Sequence, residues 1–76
     1  MTKLKDLRIE KGLTRSKLAE ASGIGERVVE AYEQGLRKID GAKIDTLFSL
    51  TSVLGCKISD IIENDDLKTK LKEGGY

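Results

Sequence analysis

The chain has 76 residues, of which 38% are hydrophobic, 36% are charged and none is proline or histidine. This composition predicts one small helical domain, and Cys56 as the only cysteine argues against a zinc site, a disulfide framework or a Cys–His nucleophile. No apolar run approaches the roughly 20 residues of a membrane span, and residues 1–11 lack the apolar segment of a signal peptide. We therefore expect a cytoplasmic protein that is not an enzyme and that has no cofactor, metal ion, small-molecule ligand or membrane contact, with Cys56 as a small buried side chain.

Positive charge is unevenly distributed along the chain, although the net charge is only +1. Residues 1–17 include six basic and two acidic residues, and residues 36–43 include three basic and one acidic. Such segments can attract phosphate groups, and the alternative is a solvated surface. Between them, residues 14–35 contain three basic and four acidic residues.

The first three predicted helices have clear start or stop signals. Charged and apolar residues alternate with helical rhythm over residues 3–11, and Gly12 ends this helix. Thr14 is a good N-cap for a second helix that extends to about Ala21. The third helix is predicted over residues 26–34 and ends at Gly35.

Two further helices are predicted in the second half of the chain. Asp40 is expected to cap a fourth helix that ends before Gly55, and residues 36–43 form an extra turn leading into it. Ser59 is expected to cap a fifth helix over residues 60–64.

Residues 65–76 are predicted to be a C-terminal extension that is partly helical and then frayed. It follows a predicted domain of residues 1–64. The paired acids Asp65 and Asp66 are more typical of a helix cap than of a catalytic dyad.

The connection between the second and third helices has the pattern of a helix-turn-helix. Ala19 is small enough for two steeply crossed helices to touch, and Gly23 can adopt the positive φ that reverses the chain. Ile24, Val29 and Tyr32 continue an apolar stripe toward the core. An ordinary αα-hairpin in a bundle without a binding function is the alternative.

On these residues the chain resembles the phage Cro and repressor type (XRE-like) of helix-turn-helix domain, over about residues 4–63. The resemblance implies an all-α fold, a five-helix lambda-repressor-like DNA-binding domain with its helix-turn-helix at helices 2 and 3, and usually a homodimeric repressor. The matching positions are Arg8, Gly12, Leu13, Thr14, Leu18, Ala19, Gly23, Glu33, Gly35, Leu54 and Gly55.

Three departures from the family pattern affect the site. Arg15 stands where the family usually has glutamine, Gly25 replaces a Ser or Thr N-cap, and residues 35–55 are about three residues longer than usual. The family also implies a partly buried ion pair between Arg8 and Glu33, and such a carboxylate needs a partner. Two independent solvated charges are the alternative.

The third helix is predicted to read bases with the face opposite Val29 and Tyr32. At about 100° per residue, Arg27 and Gln34 point away from the core. Glu30 and Ala31 flank them. The predicted base-reading residues are Glu26, Arg27, Glu30 and Ala31.

Two of these acids have alternative roles. Glu26 lies in the first helical turn, where it either complements the helix dipole or accepts a hydrogen bond from cytosine N4. Glu30 is either an ion-pair partner of Arg27 or a device that repels wrong bases, whereas Glu20 is expected to be solvated.

Affinity is expected to come from phosphate contacts that surround the third helix. The predicted phosphate-binding residues are Arg15, Lys17, Gln34, Arg37, Lys38 and Lys43.

The sequence therefore predicts a sequence-specific transcriptional regulator of double-stranded DNA, acting as a stand-alone homodimeric repressor. The alternative is a protein-binding module such as an antitoxin-like partner. The expected dimer surface comprises five apolar side chains, Ile58, Ile61, Ile62, Leu67 and Leu71.

Overall fold

The computed structural model describes residues 2–76, which form five α-helices and no strand. This confirms the expected all-α, five-helix fold class. Two short 3-10 turns, Ile39–Gly41 and Ile58–Asp60, precede the last two helices. The helices are α1 (Lys3–Glu10), α2 (Arg15–Ser22), α3 (Glu26–Gln34), α4 (Ile44–Leu54) and α5 (Asp65–Glu73).

The first three helices lie within one residue of their predicted bounds because local capping signals define them. The Thr14 hydroxyl accepts a hydrogen bond from the Lys17 amide at 3.0 Å, which satisfies one donor at the start of α2. Gly23 has φ of 73° and turns the chain from α2 into α3. A residue with a side chain would be strained in that left-handed conformation.

The core surrounds α2, which packs against both α3 and α4. Ala19 is only 7% exposed, so its small side chain lies at this contact, as the spacing predicted. Val29 and Tyr32 place one face of α3 in the core. Ile24 packs against the core and is only partly buried. This arrangement fixes which face of α3 remains available to solvent.

The predicted extra turn before α4 is present as the 3-10 turn at Ile39–Gly41. The expected role of Asp40 as an N-cap is wrong, because α4 begins after Lys43. The Asp40 carboxylate instead accepts hydrogen bonds from the backbone amides of Glu63 and Asn64, at 2.8 and 2.9 Å. It therefore connects the longer α3–α4 segment to the loop before α5.

The predicted position of the fifth helix is wrong. Residues 58–60 form a 3-10 turn, and the helix begins at Asp65 with Asn64 as its N-cap. The Asn64 side chain accepts a hydrogen bond from the Leu67 amide at 2.9 Å. Most of the expected extension is thus α5 itself. The domain boundary after residue 64 remains a prediction.

The end of the described chain is hydrogen-bonded rather than frayed. The Tyr76 amide donates to the Leu71 carbonyl at 2.8 Å, and the Tyr76 carbonyl accepts from the Ser59 amide at 3.0 Å. Ser59, which was expected to cap a helix, is only 1% exposed. Its amide binds this terminal segment instead.

Three of the five side chains expected at a dimer surface lie in the core. Ile58, Ile61 and Ile62 are at most 3% exposed, and Leu67 and Leu71 pack against the core from α5. The expected dimer role of Ile58, Ile61 and Ile62 is therefore wrong, because a domain of this size needs them for its own interior. The role of the partly buried Leu67 and Leu71 in a dimer stays a prediction. Large apolar side chains are exposed elsewhere, namely Ile9, Leu36, Ile44, Phe48 and Tyr76.

Candidate nucleic-acid interface

The outer face of α3 is polar and solvent-accessible. Arg27 and Gln34 are exposed on the side opposite Val29 and Tyr32, as the helical angles predicted. Glu26 is also exposed and lies in the first turn, where its negative charge complements the helix dipole. The two flanking positions, Glu30 and Ala31, are partly buried.

Arg8 of α1 and Glu33 of α3 form a buried two-point ion pair. Arg8 Nε donates to Glu33 Oε2 at 2.6 Å, and Nη2 donates to Oε1 at 3.0 Å. The Glu33 side chain is fully buried, and Arg8 Nη1 donates to the Leu13 carbonyl at 2.8 Å. The guanidinium therefore links α1, the α1–α2 loop and α3, which positions α3 on the core.

Arg15 joins this pair from the first turn of α2. Its Nη1 lies 2.9 Å from Glu30 Oε2, and its Nε lies 3.4 Å from Glu33 Oε1. Of the two alternatives for Glu30, the ion pair with Arg27 is wrong, because Glu30 pairs with Arg15 and not with Arg27 in residues 2–76. Sequence reasoning missed this contact because it depends on how α2 crosses α3. We call the set of Arg8, Arg15, Glu30 and Glu33 the ionic cluster.

The remaining predicted phosphate-binding cations are exposed and lie outside the ionic cluster. Lys17 is on the first turn of α2, while Arg37, Lys38 and Lys43 lie on the segment between α3 and α4. In the described part of the chain none of these four forms an ion pair. Exposed positive charge thus lies in the first turn of α2 and in the segment that follows α3.

The residues that the structure describes form no candidate metal site at this surface. Residues 2–76 contain no group of three or more histidine, cysteine or acidic side chains that could hold a metal ion. None of the helices in that range has the length and apolarity to span a membrane.

Cys56 is partly rather than fully buried. This burial raises the pKa of its thiol, with a smaller contribution from the negative charge of Asp60.

Comparison with known proteins agrees with this geometry. A family model described as "Helix-turn-helix" matches residues 4–61, which include α1 without its first residue and all of α2 to α4. The transcriptional repressor RstR of the cryptic phage CTXphi, from Vibrio cholerae, is 27% identical over 77 residues. That alignment spans 93% of this chain and 67% of the relative. No solved structure gives a significant match.

The family match spans the buried Arg8–Glu33 pair, the Gly23 turn between α2 and α3, and the exposed outer face of α3. The chain therefore belongs to the helix-turn-helix family of DNA-binding transcriptional regulators.

Proposed function

We propose that the protein is a sequence-specific repressor that binds an operator of double-stranded DNA as a homodimer. It would act in the cytoplasm, where bacterial and phage DNA is found. It would repress transcription by occupying its operator. The observation that carries the proposal is the outer face of α3, which exposes a guanidinium and an amide on a helix fixed to the core by a buried ion pair. The similarity to a phage repressor supports the direction of regulation.

Arg27 is the principal base-reading residue in this proposal, with Glu26 and Ala31 beside it. Arg27 is exposed near the start of α3 and forms no ion pair with residues 2–76. Its planar fork matches the O6 and N7 acceptors of guanine in the major groove. Ala31, one turn later, is small enough to contact a thymine methyl group.

Phosphate binding is assigned to residues at the two sides of α3. Lys17 and Arg15 lie on the first turn of α2, whose backbone amides also favour an anion. Arg37, Lys38 and Lys43 follow α3, with Gln34 at its last turn. The positive charges of these arginines and lysines would supply sequence-independent affinity. This affinity falls as the salt concentration rises, because counterion release from DNA then contributes less.

Binding-site selection from random duplexes, followed by titration of two variants, tests these assignments. Arg27→Ala should weaken binding to the best site by about 5- to 150-fold and relax the preference at one base pair per half-site. Lys38→Ala should weaken all sequences alike and flatten the plot of log affinity against log salt by about 0.9. If Arg27→Ala alters neither affinity nor base preference, α3 does not read DNA through this face. A protein-binding module would then be the better account.

Homodimerisation is part of the proposal because one α3 of nine residues can read only one half-site. Ile44 and Phe48 are exposed one helical turn apart on α4, on a different face from the buried Leu47 and Leu50. With Tyr76 they line one concave apolar surface of about 290 Å³. A second copy that buries this surface would remove large apolar side chains from water.

Sedimentation of the full chain tests the dimer. At tens of micromolar we expect a dimer, and Phe48→Glu should shift it to monomer because the interface would then bury an unpaired charge. Ile9→Glu is the matched control, since Ile9 is similarly exposed on α1. Equal effects of the two variants would remove the α4 surface from the proposal.

A further inference from the structure

We propose that Glu30 is a positioning residue for Arg15 and does not read a base. Together with Glu33, it holds the Arg15 guanidinium at the start of α2 so that one edge of the guanidinium faces a DNA phosphate. The inference rests on the DNA-binding function and on the phosphate role assigned to Arg15 above. It gives a defined task to an acid that lies on the reading helix.

The contacts of Arg15 divide its hydrogen-bond donors into two groups. A guanidinium has five N–H groups in a planar fork. Nε and Nη1 point toward the carboxylates of Glu33 and Glu30, whereas Nη2 donates to no group in residues 2–76. The side chain is 28% exposed, so part of it is accessible from solvent. Two donors are thus used for positioning, and the rest remain for an anion.

Pre-positioning matters because the arginine side chain has several rotatable bonds. A free arginine must lose this freedom when it binds a phosphate, which weakens binding. Glu30 and Glu33 order the guanidinium before DNA arrives. The ordering also depends on the fork geometry, because a lysine cannot contact two carboxylates and a phosphate in one plane.

The ion pair of Glu30 argues against base reading. Glu30 and Ala31 both lie about 130° from the core direction at 100° per residue, so the contact that Glu30 makes, and not its angle, separates the two. Glu30 is displaced toward α2, where Arg15 Nη1 contacts its Oε2 at 2.9 Å. The arginine charge offsets the carboxylate charge at short range. Glu30 therefore repels the DNA backbone less than an isolated acid would.

The test compares Glu30→Gln in two backgrounds, with affinity measured on the selected operator and on unrelated duplexes at several salt concentrations. Loss of an acid alone should strengthen DNA binding or leave it unchanged. Positioning predicts the opposite in the natural chain, namely uniform weakening by about threefold or more and a shallower salt dependence. In the Arg15→Ala background the same substitution should be neutral or strengthening, because there is no guanidinium left to position.

Glu20→Gln is the matched control, since Glu20 is exposed on α2 and has no ion-pair partner within residues 2–76. It should be neutral or slightly strengthening in both backgrounds. Far-ultraviolet circular dichroism establishes that each variant is folded. If the Arg15→Ala variant is not folded, Arg15→Lys serves as the background, because lysine keeps the positive charge and lacks the planar fork.

Two results would overturn the proposal. Strengthening by Glu30→Gln of equal size in both backgrounds means that Glu30 only repels DNA. A change of preference at one base pair means that Glu30 reads a base. Failure of this proposal is distinguishable from failure of the proposed DNA-binding function, because in the second case Arg27→Ala would also have no effect on affinity.

Discussion

Replacing Glu33 with glutamine should destabilise the whole domain, because it removes the counter-charge of a buried arginine. The glutamine carbonyl can accept one hydrogen bond from Arg8. Its NH2 group, however, is a donor and would face the other N–H donor of the Arg8 guanidinium. The Glu33 side chain is fully buried and that of Arg8 is 11% exposed, so water cannot replace the lost acceptor. Breaking a buried pair in this way costs about 3–5 kcal/mol.

This loss is large relative to the total stability of the domain. A chain of 76 residues has a free energy of unfolding of about 4–11 kcal/mol. The melting temperature should fall by roughly 12 °C or more, since each kcal/mol shifts it by about 4–8 °C in a domain of this size. Urea titration monitored by circular dichroism at low temperature measures the loss directly.

Glu20→Gln is the control for Glu33→Gln, because Glu20 is an exposed glutamate without an ion-pair partner in residues 2–76. It should change stability by less than about 0.5 kcal/mol. The double variant Arg8→Met with Glu33→Leu should be more stable than Glu33→Gln alone, because it leaves no unpaired charge from this pair. A loss below about 1 kcal/mol for Glu33→Gln, as expected of an exposed pair, would refute the reasoning.

Three further predictions concern parts of the fold away from α3. Asp40→Ala should cost roughly 1–3 kcal/mol in urea titration, because it removes the acceptor of the Glu63 and Asn64 amides; an unchanged midpoint would mean that this link is not stabilising. Gly23→Ala should lower stability by about 1–2 kcal/mol, since its φ is 73°, whereas Gly41→Ala, which has open space and no positive φ, should change it little. Burial raises the pKa of the Cys56 thiol above its usual 9.0. The stability that the buried neutral thiol contributes is therefore complete below pH 9.0, the usual pKa, and is lost as the pH rises through the higher pKa of the folded state. Cys56→Ala should flatten the alkaline limb of the stability curve, and identical limbs would exclude Cys56 as its source.

Short-range signals made the first three helices predictable from sequence. Thr14, Gly23 and Gly35 act within one or two residues of the helix ends that they define. Asp40 and Ser59 gave equally good capping signals and were misleading, because both bind groups that are distant in sequence. Such tertiary contacts override local preference, and composition does not reveal them.

The fifth helix did carry a signal at its true position. Asn64 is a favoured N-cap, two aspartates follow it, and Lys70 and Lys72 lie in the last turn, which matches the helix dipole at both ends. The apolar residues 58, 61 and 62 hid this signal, because their spacing resembled a helix face. They enter the core from a turn and a loop instead.

The ionic cluster explains how a DNA-binding unit can contain more acids than bases. Glu30 and Glu33 are matched by Arg15 and Arg8, so the cluster as a whole carries no net charge. The acids therefore add little negative potential over the α3 face, but the two arginines also contribute little to long-range attraction of DNA. In the proposed function this attraction comes instead from cations of the α2–α3 unit and the segment after it that form no ion pair in residues 2–76, namely Lys17, Arg27, Arg37, Lys38 and Lys43. Arg27 is both an exposed cation and the proposed base reader, whereas Lys38 is assigned to phosphate alone. Lys38→Ala should therefore change affinity without changing base preference.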